Sequence, residues 1–501
     1  MATTVVYRPS LRPGRLEVTD LVEAGRLLEA IAAAGRRVDR LILVSSTLAY
    51  APHHHHPGQL AEGQGHPAAA GHPVARRWRE LEERAATALP GAGSSLAVLR
   101  AAPVVGGGEG FFDRLLGRRL AFRVAGYRAP LQLLAPEDLA EAVARVLGAP
   151  GAAGLFHVVP AGVVPASAAL ALAGARSLPL PYSLLRLATP PAQLDYLRHP
   201  WTASGRRLET ELGLRPRRSS AAAVLAAAGR DPAAAPEFDD FGLDRRYVER
   251  QGRTLLRFLA RIYWRIEVRG LENVPRQGPA VLTGVHRGFQ PWDGVMTLHT
   301  VAEGTGRLIR FLVHPTLVKF PFLADFMTRL GGVLACQENA DRLLARGELL
   351  GVYPEGIHGA FTPYRRAYEL GRFGRDEFVR MALRNRAPIV PFVTIGSAEI
   401  YPILGRLDWG WWKRFSEWPY FPLTPTFPLV PLPLPSKWHT WFLPPLAVHE
   451  RYPPEAAEDR ALVQEISQDV RRRLQEAIDW MRSRRKSIWR GSIFDGAGDP
   501  P

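Results

Sequence analysis

Residues 281–303 read VLTGVHRGFQPWDGVMTLHTVAE, and the order of side chains in this stretch decides how the second half of the chain folds. VLTG at 281–284 is a short apolar run of the kind a parallel sheet buries on both faces. His286 follows it almost at once, a loop carries the chain past Arg287 to Pro291, and Asp293 opens a helical segment over 293–303. Strand, polar loop and helix in that order are the opening of a β–α–β unit. Working outward, the pattern predicts strands at 265–269, at 349–353 (LLGVY) and at 387–396 (APIVPFVTIG), with helices at 320–330, 338–346 and 373–385. A basic, aromatic helix is expected from 243 to 264. Leu462, Ile466, Val470, Leu474, Ile478 and Met481 repeat at helical spacing, so 456–481 is read as a helix with a core-facing stripe.

The first half alternates in the same way. LILVSS at 41–46 and LAVLRAAPVVG at 96–106 read as strands, and 21–34, 75–89 and 136–148 as helices. The fold class expected for the whole chain is therefore α/β. DPAAAPEFDDFG at 231–242 is acidic, proline-bearing and weakly periodic. It reads as a linker between domains at 1–230 and 243–490.

Composition narrows the function classes. The 501 residues carry 64 basic and 48 acidic side chains, a formal charge of +16, and only Lys319, Lys413, Lys437 and Lys486 among the basic ones are lysine. No finger, RNP-like strand or long basic run accompanies that charge, so no nucleic-acid partner is expected; anionic lipid or phosphate-bearing ligands fit it better. Cys336 is the single cysteine, which excludes an internal disulfide framework and points to an apolar filler rather than a nucleophile. His53–His56, His66 and His72 lie in a Gly/Pro-rich loop that offers no fixed ligand geometry, so no metal site is expected. The start of the chain shows no signal-peptide pattern. The uncharged stretch 418–436 contains seven prolines, which rules out one regular spanning helix. An extended cover or an interfacial segment is expected there.

The chemistry concentrates in four ordered blocks: His286 with Asp293, then Tyr353-Pro354-Glu355-Gly356, then Pro388-Ile389-Val390-Pro391, with GLENVP at 270–275 ahead of them and ENADRLL at 338–344 between. Over roughly 240–480 this resembles the glycerolipid acyltransferase superfamily, whose members place a histidine and an aspartate in the first block and a PEG sequence in the third. Six residues separate His286 from Asp293 where the family's commonest spacing is four. The Pro–Trp pair before Asp293 resembles the mono- and diacylglycerol acyltransferase-like branch. The resemblance implies an O-acyltransferase that takes a fatty acyl group from acyl-CoA or acyl carrier protein to a hydroxyl of a glycerolipid or lysophospholipid. A neutral, diacylglycerol-type acceptor is the alternative. His286 would be the general base and Asp293 its orienter. Pro354, Glu355 and Gly356 would shape the acceptor pocket, with Glu355 contacting a hydroxyl or holding a nearby arginine. Arg287, Arg365 and Arg366 are the candidate phosphate ligands. No cofactor is expected beyond the thioester co-substrate.

Residues of about 18–220 resemble the latter part of an extended short-chain dehydrogenase/reductase of the epimerase–dehydratase type, carried by LILVSSTLAY, LRAAPVVG, PEDLAEAV and SGRRLETELGLRPRRS at 204–219. Ser46 matches that family's serine. His72 and Arg76 stand where its tyrosine and lysine belong, with Glu80 one helical turn on. Gly106, Gly107 and Gly108 follow a strand and do not form the GxGxxG that the family places ahead of its first helix. The expectation is an incomplete Rossmann-like domain without nicotinamide binding. An NAD(P)-dependent oxidoreductase and a noncatalytic lipid-associated protein remain as rival functions. Lipid substrates imply peripheral association with an anionic membrane on the cytoplasmic face. Arg253, Arg257, Arg261 and Arg265 on the 243–264 helix, and Trp409, Trp411, Trp412 and Trp418, are the expected contacts.

Overall fold

The computed structural model describes residues 3–9, 14–16, 25–26, 29–30, 33, 38–65, 71–89, 94–108, 110–318, 320, 322–374, 376–427 and 432–495. The chain divides into two units, Met1–Leu243 with Phe320–Thr328, and Asp244–Lys319 with Arg329–Pro501.

In the first unit, β1 (Thr3–Tyr7), β2 (Val38–Ser46), β3 (Ser95–Ala101) and β4 (Gly154–Val158) form a sheet in the order β1-β2-β3-β4, every neighbouring pair parallel. Helices α1 (Pro73–Thr87) and α2 (Pro136–Leu147) lie between successive strands in the chain. This is the Rossmann-like arrangement expected of the first half. Strand β2 is buried at eight of its nine positions, as an apolar strand covered on both faces must be. Strand β1, rich in β-branched residues, was not anticipated. The helix expected at 21–34 lies for the most part outside the described residues.

The second unit begins with α3 (Arg245–Arg253), where the sequence suggests one helix to residue 264. Instead Thr254 leaves helical geometry at φ −115°, ψ −97°, its hydroxyl donating to the Arg250 carbonyl at 2.8 Å. A short turn, Leu255–Phe258, then runs into a π turn, Leu259–Tyr263. The extra residue of the π turn lets buried Trp264 stack on Trp438, ring centres 4.5 Å apart. There follow β5 (Glu267–Arg269), β6 (Ala280–Gly284), α4 (Trp292–Thr305), β7 (Ile309–Val313), β8 (Val333–Leu334), α5 (Gln337–Ala345), β9 (Leu349–Val352), α6 (Gly356–Ala360), α7 (Glu377–Arg384), β10 (Ile389–Ile395), β11 (His439–Phe442) and α8 (Arg460–Arg484). The sheet order is β8-β7-β9-β6-β10-β11-β5. The first five strands of that order are mutually parallel, β11 is antiparallel to β10, and β5 pairs parallel with β11.

The central strand β6 therefore delivers the chain to its carboxyl end with parallel neighbours on both sides, the usual place for a site in such sheets. Gly284 is obligatory at that end: a Cβ there would sit 2.2 Å from the Phe392 ring. On α8 the buried stripe is Val463, Ile466, Val470, Leu474, Ile478 and Met481, so Val463 rather than Leu462 takes the first core position. In the proline-rich stretch, Phe421–Leu423 pairs antiparallel with Gly405–Leu407. Among the described residues no helix is long and apolar enough to cross a membrane.

Candidate active site

His286 leaves β6 after one residue, and Asp293 lies in the first turn of α4. The six-residue loop between them closes on the aspartate. Asp293 Oδ2 accepts from His286 Nδ1 at 2.7 Å and from the Arg287 amide at 2.9 Å, while Oδ1 accepts from the Gly294 amide at 2.7 Å. The carboxylate is 1% exposed, so its charge depends on these donors and on the positive end of α4. His286 is 13% exposed, and its Nε2 has no hydrogen-bond partner among the described residues. One imidazole nitrogen is fixed by a carboxylate and the other is left for chemistry.

Tyr353 lies against this histidine, its ring 4.9 Å from the imidazole and inclined by 24°, with Phe311 stacked behind it at 5.4 Å. Burial pushes the phenol well above its ordinary pKa, so it stays neutral and packs the imidazole in place. Sequence reasoning gave Tyr353 no role. Its position at the end of β9, immediately before the PEG turn, was the available signal.

Pro354, Glu355 and Gly356 turn the chain from β9 into α6, and Gly356 at φ +57° takes the left-handed conformation that a side chain would resist. Glu355 does not present its carboxylate to an open pocket. It forms a bidentate pair with Arg287, Oε2 to Nη1 at 2.7 Å and Oε1 to Nη2 at 3.3 Å, both side chains at or below 5% exposure. Oε1 also accepts from the Gly371 amide at 2.8 Å. Arg287 donates further to the carbonyls of His286, Ala367, Gly359 and Glu369. That corrects its expected role: every guanidinium nitrogen is consumed by the protein, and none is left for a phosphate. Arg365 and Arg366 are exposed, and Arg366 pairs with Glu369 at 2.9 Å. The strip from Ala367 to Gly371 is braced from its other side by α8, where Arg471 donates to the carbonyls of Leu370 and Gly371 and Gln475 bonds Tyr368 and Leu370.

Phe289, in the loop, is 3% exposed and sits among Phe361, Tyr401, Trp418 and Phe427 at centroid distances of 4.9–6.1 Å. Of the four expected membrane tryptophans, Trp418 is thus a core residue, while Trp409 and Trp411 are exposed. Burial pushes the Cys336 thiol up to about 12, which removes it as a nucleophile.

In the first unit Ser46 accepts from the Leu48 amide and caps a short turn. His72 stands at the start of α1, edge-on to Tyr196, and burial lowers its pKa. Arg76 is exposed and faces Glu80 at 3.7 Å. The Tyr196 hydroxyl, which could have offered a phenol here, donates to the Leu48 carbonyl at 2.6 Å.

The sequence profile of a family described as Acyltransferase matches residues 265–395, the span that holds His286, Asp293 and the PEG turn. An uncharacterised protein of Mycobacterium tuberculosis, Rv0502, is 38% identical over 259 residues, half of this chain and 72% of that protein. The chain carries an acyltransferase domain. A more distant relative of this acyltransferase is phytyl ester synthase 2 of Arabidopsis thaliana, 27% identical over 247 residues, 44% of this chain and 34% of that protein. The solved structure of MoeE5 in complex with UDP-glucuronic acid and NAD aligns with 46% of this chain and 78% of its own at 17% identity and a TM-score of 0.35.

Proposed function

We propose that this acyltransferase moves a fatty acyl group from a thioester, acyl-CoA or acyl carrier protein, to a hydroxyl of a membrane lipid. The observation that carries the reading is the His286–Asp293 contact of 2.7 Å at the carboxyl end of β6, with Nε2 of the imidazole unengaged. A thioester is already activated; the difficulty lies in making a hydroxyl nucleophilic against it. His286 Nε2 takes the hydroxyl proton as the oxygen attacks the carbonyl carbon, and the C–S bond breaks as that proton is returned to the departing thiolate. Asp293 holds the imidazole with Nδ1 protonated and stabilises the imidazolium formed between the two steps. The Arg287–Glu355 pair acts by position: it ties the histidine loop to the PEG turn across 68 residues of sequence.

A neutral alcohol as acceptor is favoured by one specific observation. The cation nearest the histidine in sequence, Arg287, is fully satisfied inside the protein, so it offers nothing to a glycerophosphate. The similarity to a phytyl ester synthase supports the same reading. Purified full-length protein, given an acyl thioester with lysophosphatidic acid and with diacylglycerol in parallel, should yield a new ester by mass analysis of the lipids. Absence of ester with both acceptors and both donors overturns the proposal.

A further inference from the structure

Five of the exposed apolar side chains of the second unit come from segments far apart in sequence that hydrogen bonds join. Phe258 and Ile262 on the π turn are 47% and 64% exposed, Leu432 67%, Leu404 70% and Trp411 63%. Hydrogen bonds stitch their segments in sequence: the Tyr263 hydroxyl donates to the Pro433 carbonyl at 2.7 Å and Trp264 Nε1 to Leu434 at 3.2 Å. The Leu434 amide then donates to Ile400 at 2.9 Å, and the Leu404 amide to Leu423 at 2.9 Å, closing the hairpin that carries Trp411. Aromatic contacts lead inward from this rim to the histidine loop. Trp412 meets Trp418 at 5.6 Å, Trp418 meets Phe289 at 5.8 Å, and Trp264 meets Trp292 at 5.7 Å. Phe289 lies in the loop between His286 and Asp293, and Trp292 is the first residue of α4.

We propose that this rim seats in the interfacial layer of a lipid bilayer, so that a lipid hydroxyl reaches His286 from the membrane rather than from water. The route to the histidine rests on the acyl-transfer reading; the docking surface does not. Charge fits one occupant. Exposed Arg253, Arg257 and Arg261 interleave with Phe258 and Ile262 on the same segment, which suits lipid phosphates beside acyl chains. Tryptophan at the tip suits the headgroup boundary, where an apolar ring and an indole N–H are both satisfied. The contacts expected from sequence were a regular 243–264 helix and the 409–436 segment; the fold breaks that helix at Thr254, buries Trp418 and adds Leu404.

The test floats full-length protein with vesicles of phosphatidylcholine and phosphatidylglycerol. The double changes Phe258→Ser with Ile262→Ser, and Trp409→Ser with Trp411→Ser, should each lower the vesicle-bound fraction at least about tenfold. Leu187→Ser, at an exposed apolar position of the first unit, should change it less than about twofold. Unfolding midpoints of all variants check that each is folded. Independently of any substitution, brominated acyl chains should quench the tryptophan fluorescence of the wild type. A wild type that stays unbound, double variants that float like it, a control that loses as much, or fluorescence indifferent to bromine overturns the proposal. Protein that floats as expected but transfers no acyl group keeps the docking face and removes the enzymatic reading instead.

Discussion

Glu355→Gln tests how the site is held together. The substitution keeps the side chain's volume and an oxygen for the Gly371 amide, but it removes the charge opposite Arg287 and puts an amide N–H2 where Oε2 accepted from Nη1. Arg287 is 2% exposed, and its guanidinium would remain buried without a counterion. Breaking a buried pair in this way costs about 3–5 kcal/mol. Arg287→Met should cost more, because it also strips a donor from the carbonyls of His286, Ala367, Gly359 and Glu369. In a chain of two units a single unfolding free energy is poorly defined, so the assay is backbone hydrogen exchange read over residues 286–294 and 355–373. A loss of that size speeds exchange there by about 150- to 5000-fold, with amides of the first unit as the internal reference. Exchange within about tenfold of wild type in Glu355→Gln would show that the pair is not what fixes the histidine loop.

Three further expectations follow from the same geometry. His286→Ala should lower turnover at least about 100-fold, and Asp293→Asn should act mainly on kcat rather than KM, measured by steady-state kinetics; full turnover in a folded His286→Ala protein removes it as the base. Burial holds the pKa of His157 down to about 3 and that of His439 to about 4, both below the ordinary 6.5 of the unfolded chain. Their neutral forms thus stabilise the fold fully above about pH 6.5, and that contribution is lost as pH falls toward 4 and 3, because the unfolded chain takes the protons first; the unfolding midpoint should fall across that window, and less steeply in His157→Gln and His439→Gln. Calorimetry should find no low-micromolar NAD or NADP binding, since Gly106, Gly107 and Gly108 follow a strand without forming GxGxxG.

What could be read from the sequence was whatever a single stretch encodes by itself. Val281–Thr283 is a continuous apolar run, and the structure pairs it on both sides as a central strand. The nearness of His286 to Asp293 was legible because a strand end and a helix start bracket them. Strand β7 escaped because Arg310 interrupts its apolar run; the guanidinium is buried against Glu348 at 3.0 Å and the Gly331 carbonyl at 2.8 Å, partners 38 and 21 residues away. Strand β11 escaped for the same reason, since His439 and Thr440 read as polar yet are buried. Glu355 was legible as a group that could hold a nearby arginine; that the arginine is Arg287 was not, because 68 residues separate the two. The break at Thr254 depends on where Trp264 must go, and Trp438 lies 174 residues further on.

The brace that α8 lays across the strip from Ala367 to Gly371 bears on how this enzyme could be cut or recombined. The span recognisable as an acyltransferase, residues 265–395, ends before β11 and α8. Yet β11 lies between β10 and β5 in the sheet, and Arg471 and Gln475 hold the segment whose Gly371 amide grips Glu355. A graft of that span alone into a relative would carry the reactive loop without its clamp, and its histidine would depend on whatever helix the recipient supplied. Exchange between relatives preserves the site only when the crossover lies beyond Arg484, so the transferable unit is larger than the part that sequence comparison recognises.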